Sequence, residues 1–295
     1  MPALQSPLVR GHLAMLLFSA LVAGSFSLGV RAANLIDPAA LNAVRFFLAS
    51  LIIGGLVLAG PGLRRRYFLA PWRYLLLGGL FSVYFVMMFE GLKTAPPVSA
   101  SAVFTLTPVM SALFGWLLLR QVTTPRMALA LALAAGGAVW VIFRGDLAAI
   151  RAFEIGRGEM IFFVGCIAHA LYTPMVRKLN RGEPPLVFTL GMLIAGFLLL
   201  SLYGAGGIAR TNFSSLPAIV WITIAYVTVF ASATTFFLLQ YAALHLKSAK
   251  VMAYTYLVPA WVFIWEITLG GPMVPVKVMF GIAAVIIALL MLLAE

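Results

Sequence analysis

Apolar runs of the length a bilayer demands follow one another along this chain almost without pause. A helix needs about 20 apolar residues to cross a hydrocarbon core, whereas buried helices of soluble folds are usually shorter. Ten spans fit, at residues 13–33, 39–59, 73–92, 98–119, 126–143, 159–177, 185–204, 217–238, 249–269 and 275–294. The fold class is therefore all-α and polytopic, because only helices and closed barrels satisfy every backbone polar group in lipid. Composition agrees: 63% of the 295 residues are hydrophobic and 9% are charged, where a soluble domain carries about a quarter charged. Residues 1–26 imitate a secretory signal, with Arg10 ahead of an apolar run and small residues after it. The apolar pattern continues past Gly24 and another span follows closely, so this segment is read as the first transmembrane helix.

A net charge of +12 does not call for a nucleic-acid partner here, because basic residues between spans set membrane orientation. With the N-terminus in the cytoplasm, Arg10, Arg64, Arg65, Arg66, Arg73, Arg120, Arg126, Arg177, Lys178, Arg181, Lys247 and Lys250 fall inside. The outer side receives fewer, and both termini are expected to be cytoplasmic. The single cysteine, Cys166, excludes an internal disulfide and a cysteine-rich metal site. The histidines His12, His169 and His245 are widely spaced, and no Gly-rich phosphate loop follows a strand. No cofactor, no metal and no enzymatic activity are expected, and ATP is not the direct driver of any work the protein does.

One design occurs twice. The stretch EGLKTAPPVSASAVFTLTPVMSALFGWLLL (90–119) sets a polar break before an apolar helix with Pro108 at its middle. The stretch LHLKSAKVMAYTYLVPAWVFIWEITL (244–269) does the same around Pro259. Ala102, Leu106, Pro108 and Leu118 fall on Ala253, Leu257, Pro259 and Leu269 at a constant offset. The expected organisation is one five-helix repeat over residues 1–150 and a second over 151–295. An odd number of spans per repeat inserts the second upside down, and inverted repeats around a midplane site are a transporter signature.

Several segments carry a family resemblance. AGSFSLGV (23–30), NAVRFFLASLIIG (42–54), AHALYTPMVRKL (168–179) and the paired LKTA…LTPV and LKSA…LVPA segments resemble the drug/metabolite transporter superfamily, in particular its two-copy EamA-type exporters. Two features differ: Arg120 and Gly271 stand where the family often has glutamate, and His169 stands where it often has tryptophan. The resemblance implies an inner (plasma) membrane exporter of small metabolites with a central cavity lined by the first, third, fourth, sixth, eighth and ninth helices. Aromatic and other neutral amino acids are the typical cargo of one branch, the YddG-like exporters. A small-molecule substrate and the lipid bilayer are the expected partners, and the protein is expected to act as a monomer. The alternatives are a channel-like facilitator, or an exporter of nucleobases, sugars or toxic cations.

Polar groups inside a bilayer are costly, so each one is a candidate for function. Arg45 lies about 10 Å deep at 1.5 Å per residue past Pro38, and Glu90 ends the third helix on the same side. The two suit an ion pair that staples helices 2 and 3. Alternatively Arg45, with Arg31, faces a carboxylate or gates the outer side. Glu266 either carries a coupling proton or reaches solvent at the interface. His169, with Tyr172 one turn on, lines the cavity or bonds a neighbouring helix. Ser101, Thr105 and Pro108 share one face of the fourth helix, as do Met252, Tyr256 and Pro259 on the ninth. These faces are expected to form opposite walls of the site, unless the prolines serve only to kink their helices for packing. Tyr84 belongs to a set of aromatic rings that either stack on flat apolar cargo or serve as packing and interface anchors.

Overall fold

The computed structural model describes residues 7–271 and 275–293. Ten helices long and apolar enough to cross a membrane account for most of them. These are α1 (Pro7–Ala32), α2 (Pro38–Ala59), α3 (Trp72–Gly91), α4 (Pro97–Leu119), α5 (Pro125–Ile142), α6 (Arg157–Leu179), α7 (Pro185–Tyr203), α8 (Ala218–His245), α9 (Ser248–Thr268) and α10 (Val276–Leu293). All ten expected spans are present. Residue 294, the expected end of the last one, lies outside the described residues. The longest deviations are at the start of α1, which begins at Pro7, and at the end of α8, which runs on to His245.

Helix starts follow local chemistry. Proline opens α2, α4, α5 and α7, where the missing N–H has no intrahelical partner to lose. Asp37 caps α2, its Oδ1 accepting from the Ala39 and Ala40 N–H groups at 2.9 and 3.0 Å. Thr124 caps α5 through the Met127 N–H at 3.2 Å. Leucine, isoleucine and phenylalanine side chains cover the outward faces of the bundle, as lipid contact requires.

Three spans are not regular. In α4 the helix stops at Phe104 and resumes at Thr107, so that Pro108 sits in the first turn of a new segment. In α9 a 3-10 turn over Tyr254–Leu257 precedes a segment that restarts at Val258 with Pro259. The two prolines therefore stand in the first turn after a break in the α-helical ladder, where tighter i→i+3 turns carry the chain across. The breaks meet where the Thr107 and Thr255 hydroxyls approach to 3.3 Å. In α8, residues Val229–Thr234 form a π-helical turn, which leaves backbone carbonyls off the regular ladder.

Packing places α3 against α6 and α7, α1 against α8 and α9, α4 against α6, α2 against α7, and α5 against α10. Glycines permit the closest approaches. A Cβ on Gly78 would lie 2.6 Å from the Gly196 nitrogen of α7, and one on Gly137 would lie 2.8 Å from the Gly281 carbonyl oxygen of α10. The helices α1, α3, α6 and α8 surround the centre of the bundle.

Candidate functional site

At that centre lies a small closed chamber. Its walls are Phe18, Val22 and Ser25 of α1, Phe81, Tyr84, Phe85 and Met88 of α3, His169 of α6, and Ala231, Thr235 and Phe236 of α8. Helical spacing explains the selection: the α3 residues follow i, i+3, i+4 and i+7, one stripe of that helix. The free volume is about 10 Å³, no more than a single water occupies. The rings close it by direct contact. Phe81 lies 4.0 Å from Tyr172 and 4.5 Å from Phe236, and Tyr84 lies 4.4 Å from His169, centroid to centroid.

The chamber is not wholly apolar. Ser25 Oγ, His169 Nδ1 and Thr235 Oγ1 are buried without a hydrogen-bond partner, and they come from three different helices. Beside them the Tyr172 hydroxyl faces the Gln240 carboxamide without forming a well-aligned hydrogen bond. A buried polar atom left unpaired costs about 1–3 kcal/mol, so native folds rarely keep one without a use. Here several converge on one space. A ligand with donors and acceptors of its own would satisfy them once the rings move apart.

Arg45 stands directly behind this wall. It is fully buried and donates to the Ser232 hydroxyl, to the Ala231 carbonyl in the π turn, and to Asn42 Oδ1 at 3.3 Å. Its guanidinium lies 3.6 Å from the centroid of Phe85, a cation–π contact. The expected partner Glu90 is engaged elsewhere: its carboxylate takes Lys93 Nζ at 2.6 Å. Arg45 thus staples α2 to α8, because the π turn offers it a carbonyl that an α-helical turn would have used. Glu90 is left at the surface with a neighbour from its own turn.

Other expected residues are placed as follows. Tyr84 and His169 line the chamber, and Tyr172 backs it through Phe81. Ser101 and Thr105 are buried but return their hydroxyls to the Val98 and Ala102 carbonyls of α4 at 2.7 and 2.6 Å. Met252 accepts from Thr173 Oγ1 at 3.1 Å in the contact between α6 and α9. Tyr256 is buried in a cluster that includes Met127 and Ala130 of α5 and Val285 of α10. The expected opposing walls on α4 and α9 therefore do not bound this chamber; α1, α3, α6 and α8 do. Arg31 and Glu266 form an ion pair at 3.3 Å, with Glu266 buried and not solvated at the interface. Ser25, Thr235, Phe236 and Gln240 were not anticipated from the sequence, where serine and threonine in apolar runs resemble ordinary helix-packing positions and a lone Phe or Gln in such a run carries no further signal.

A ten-span helical bundle around an aromatic-walled chamber that carries a few unpaired polar groups is the architecture of a polytopic membrane protein, and the family match makes it a transporter of small molecules. The chain belongs to the EamA-like transporter family, whose model matches residues 9–143 and again 156–294. Among curated proteins it is similar to the uncharacterized transporter YyaM of Bacillus subtilis (strain 168), with 25% identity over 281 residues that cover 94% of this chain and 91% of that one. A crystal structure of a protein with 17% identity shares the fold, with a TM-score of 0.74 over 97% of this chain and 96% of the other.

Proposed function

We propose that the protein is a secondary transporter of the plasma membrane that exports small neutral metabolites, foremost amino acids, by alternating access around the central chamber. The observation that carries this reading is the convergence of unpaired Ser25, His169 and Thr235 on a space walled by aromatic rings. An amino acid supplies an ammonium, a carboxylate and, when aromatic, a flat side chain suited to such walls. Alternating access needs two halves able to exchange roles. Residues 1–150 and 151–295 are proposed as those halves, supported by packing that maps onto itself when each helix is replaced by the one five places on: α3–α6 answers α8–α1, and α4–α6 answers α9–α1. A permanently open facilitator is disfavoured by the roughly 10 Å³ of free space.

The test is uptake into proteoliposomes of labelled phenylalanine, tryptophan, threonine and a nucleobase, with and without a proton gradient. Saturable amino-acid uptake that accelerates when unlabelled amino acid is loaded inside is the expected result. Uptake of the nucleobase alone would move the cargo to another class. Uptake without saturation or counterflow would make the protein a pore.

A further inference from the structure

The charges of the membrane interior are unequal. Of the eight acidic residues in the chain, the seven that are described all sit at or near helix ends. Asp37 and Asp146 cap helices. Glu90, Glu183 and Glu266 pair with Lys93, Arg73 and Arg31. Glu159 accepts from Ser99 at 2.7 Å, and Glu154 is exposed on a loop. None lines the chamber. Among the described residues Arg45 is the one arginine or lysine fully buried within a span away from its ends, and none of them gives it a carboxylate partner. Two residues that touch its guanidinium, Phe85 and Ala231, are themselves chamber walls, and a third wall, Phe236, has its ring centroid 5.8 Å away.

A buried charge without a counter-charge projects its field into the nearest low-dielectric space, and here that space is the chamber. Its present partners are neutral: a hydroxyl, a carbonyl, an amide oxygen and an aromatic face. A guanidinium has five N–H donors, and the bonds seen here use three of its nitrogens once each. Capacity remains for an incoming acceptor once the Phe85 ring turns aside.

We infer that Arg45 is a specificity-determining residue that makes the chamber select cargo bearing a carboxylate and reject cationic cargo. The inference rests on the transport reading above, because it assigns the chemistry of that same chamber. Phe85 is the shutter between the guanidinium and the chamber. A carboxylate that draws Arg45 toward it also loosens its bonds to Ala231 and Ser232 in the π turn of α8, so that cargo recognition and the shape of α8 are linked through one side chain.

The test is ligand-induced thermal stabilisation of the purified full-length protein, which reads binding whether or not transport occurs. The probes are 3-phenylpropionate, phenethylamine and 2-phenylethanol, which share a ring and differ in charge. The wild type is expected to bind 3-phenylpropionate about tenfold or more tightly than phenethylamine, with 2-phenylethanol between them. Arg45→Gln should bring the three within about twofold of one another, and Arg45→Lys should keep the preference for the carboxylate. Equal binding of the three probes by the wild type, preference for the amine, or no binding of the carboxylate would overturn the inference without reference to any variant. A loss of all binding in Arg45→Gln and Arg45→Lys alike, with unchanged melting temperature, would reduce Arg45 to a structural staple. Binding with the expected preference but no uptake in liposomes would instead overturn the transport reading.

Discussion

Arg31 and Glu266 meet 3.3 Å apart in the last turns of α1 and α9, at the end of the bundle opposite the chain's first span entry. At the other end Arg73 of α3 meets Glu183 of the loop after α6 at 2.7 Å. Each pair joins the first half of the chain to the second, so the closed chamber has one ionic contact above it and one below. The two differ in strength. Arg31 keeps 28% of its side chain exposed, whereas Arg73 is buried and also donates to the Leu179 carbonyl at 2.7 Å.

The weaker contact is the one expected to open. Glu266→Gln should lower stability by only about 1 kcal/mol, because Arg31 keeps part of its side chain in solvent and its bond to the Ser27 carbonyl. It should at the same time raise access to the chamber. The check is the rate of thiol labelling of Ser25→Cys in a background where Cys166 is replaced by alanine. An unchanged labelling rate would remove Arg31 and Glu266 from the gate.

The stronger contact should show itself in acid. Burial pushes the Glu183 carboxyl up, but the hydrogen bond from Arg73 and those from the backbone N–H groups of Arg181 and Glu183 outweigh it, leaving the group below its ordinary 4.5. A carboxyl lowered in the folded state stabilises fully above its unfolded value and loses that contribution as pH falls through its folded value. Melting temperature should therefore drop below about pH 4.5, less steeply in Glu183→Gln than in the wild type. At neutral pH that substitution should cost on the order of 3 kcal/mol, because Arg73 is left buried without its partner.

Helix approach at glycine predicts a pair of opposite outcomes. Gly78→Ala places a methyl group 2.6 Å from the Gly196 nitrogen and 2.8 Å from the Met192 oxygen. Backbone cannot yield as a side chain does, so a loss of about 1–3 kcal/mol is expected. Gly136→Ala meets nothing within 4 Å and should be neutral or gain up to about 1 kcal/mol from helix propensity. Thermal unfolding in one detergent compares the two.

Thr235→Val keeps the shape of the chamber and removes a hydroxyl that has no partner. The variant should be more stable by about 1 kcal/mol, since the cost of an unmet hydrogen bond is relieved. It should also transport less, with a raised KM. Equal transport at equal or higher stability would mean that Thr235 does not contact cargo.

How far the sequence carried the fold depends on what each residue announces. The ten spans were legible because bilayer thickness dictates their length, and the interruptions of α4 and α9 were signalled by Pro108 and Pro259. The pairing of Arg45 was not. Depth along a helix can be counted in residues, and depth matched Arg45 to Glu90; rotation about the axis cannot be counted, and Lys93 lies within 2.6 Å of Glu90. The π turn of α8 is equally silent, since Val229–Thr234 reads as ordinary apolar helix. Tyr84 and His169 were identified as large polar-edged groups inside a span, while Ser25 and Thr235 gain meaning only from the absence of any neighbour able to bond them.

The interruption in α4 also has a consequence for how the protein is made. Its two segments have 8 and 13 residues, about 12 and 20 Å at 1.5 Å per residue, and neither crosses a bilayer alone. Together their 23 residues are long enough to span it. The hydroxyl that meets Thr107 at the break belongs to Thr255, 148 residues later in the chain. During synthesis α4 is therefore made before Thr255 exists, and the contact between the two breaks can form only after the second half of the chain has followed.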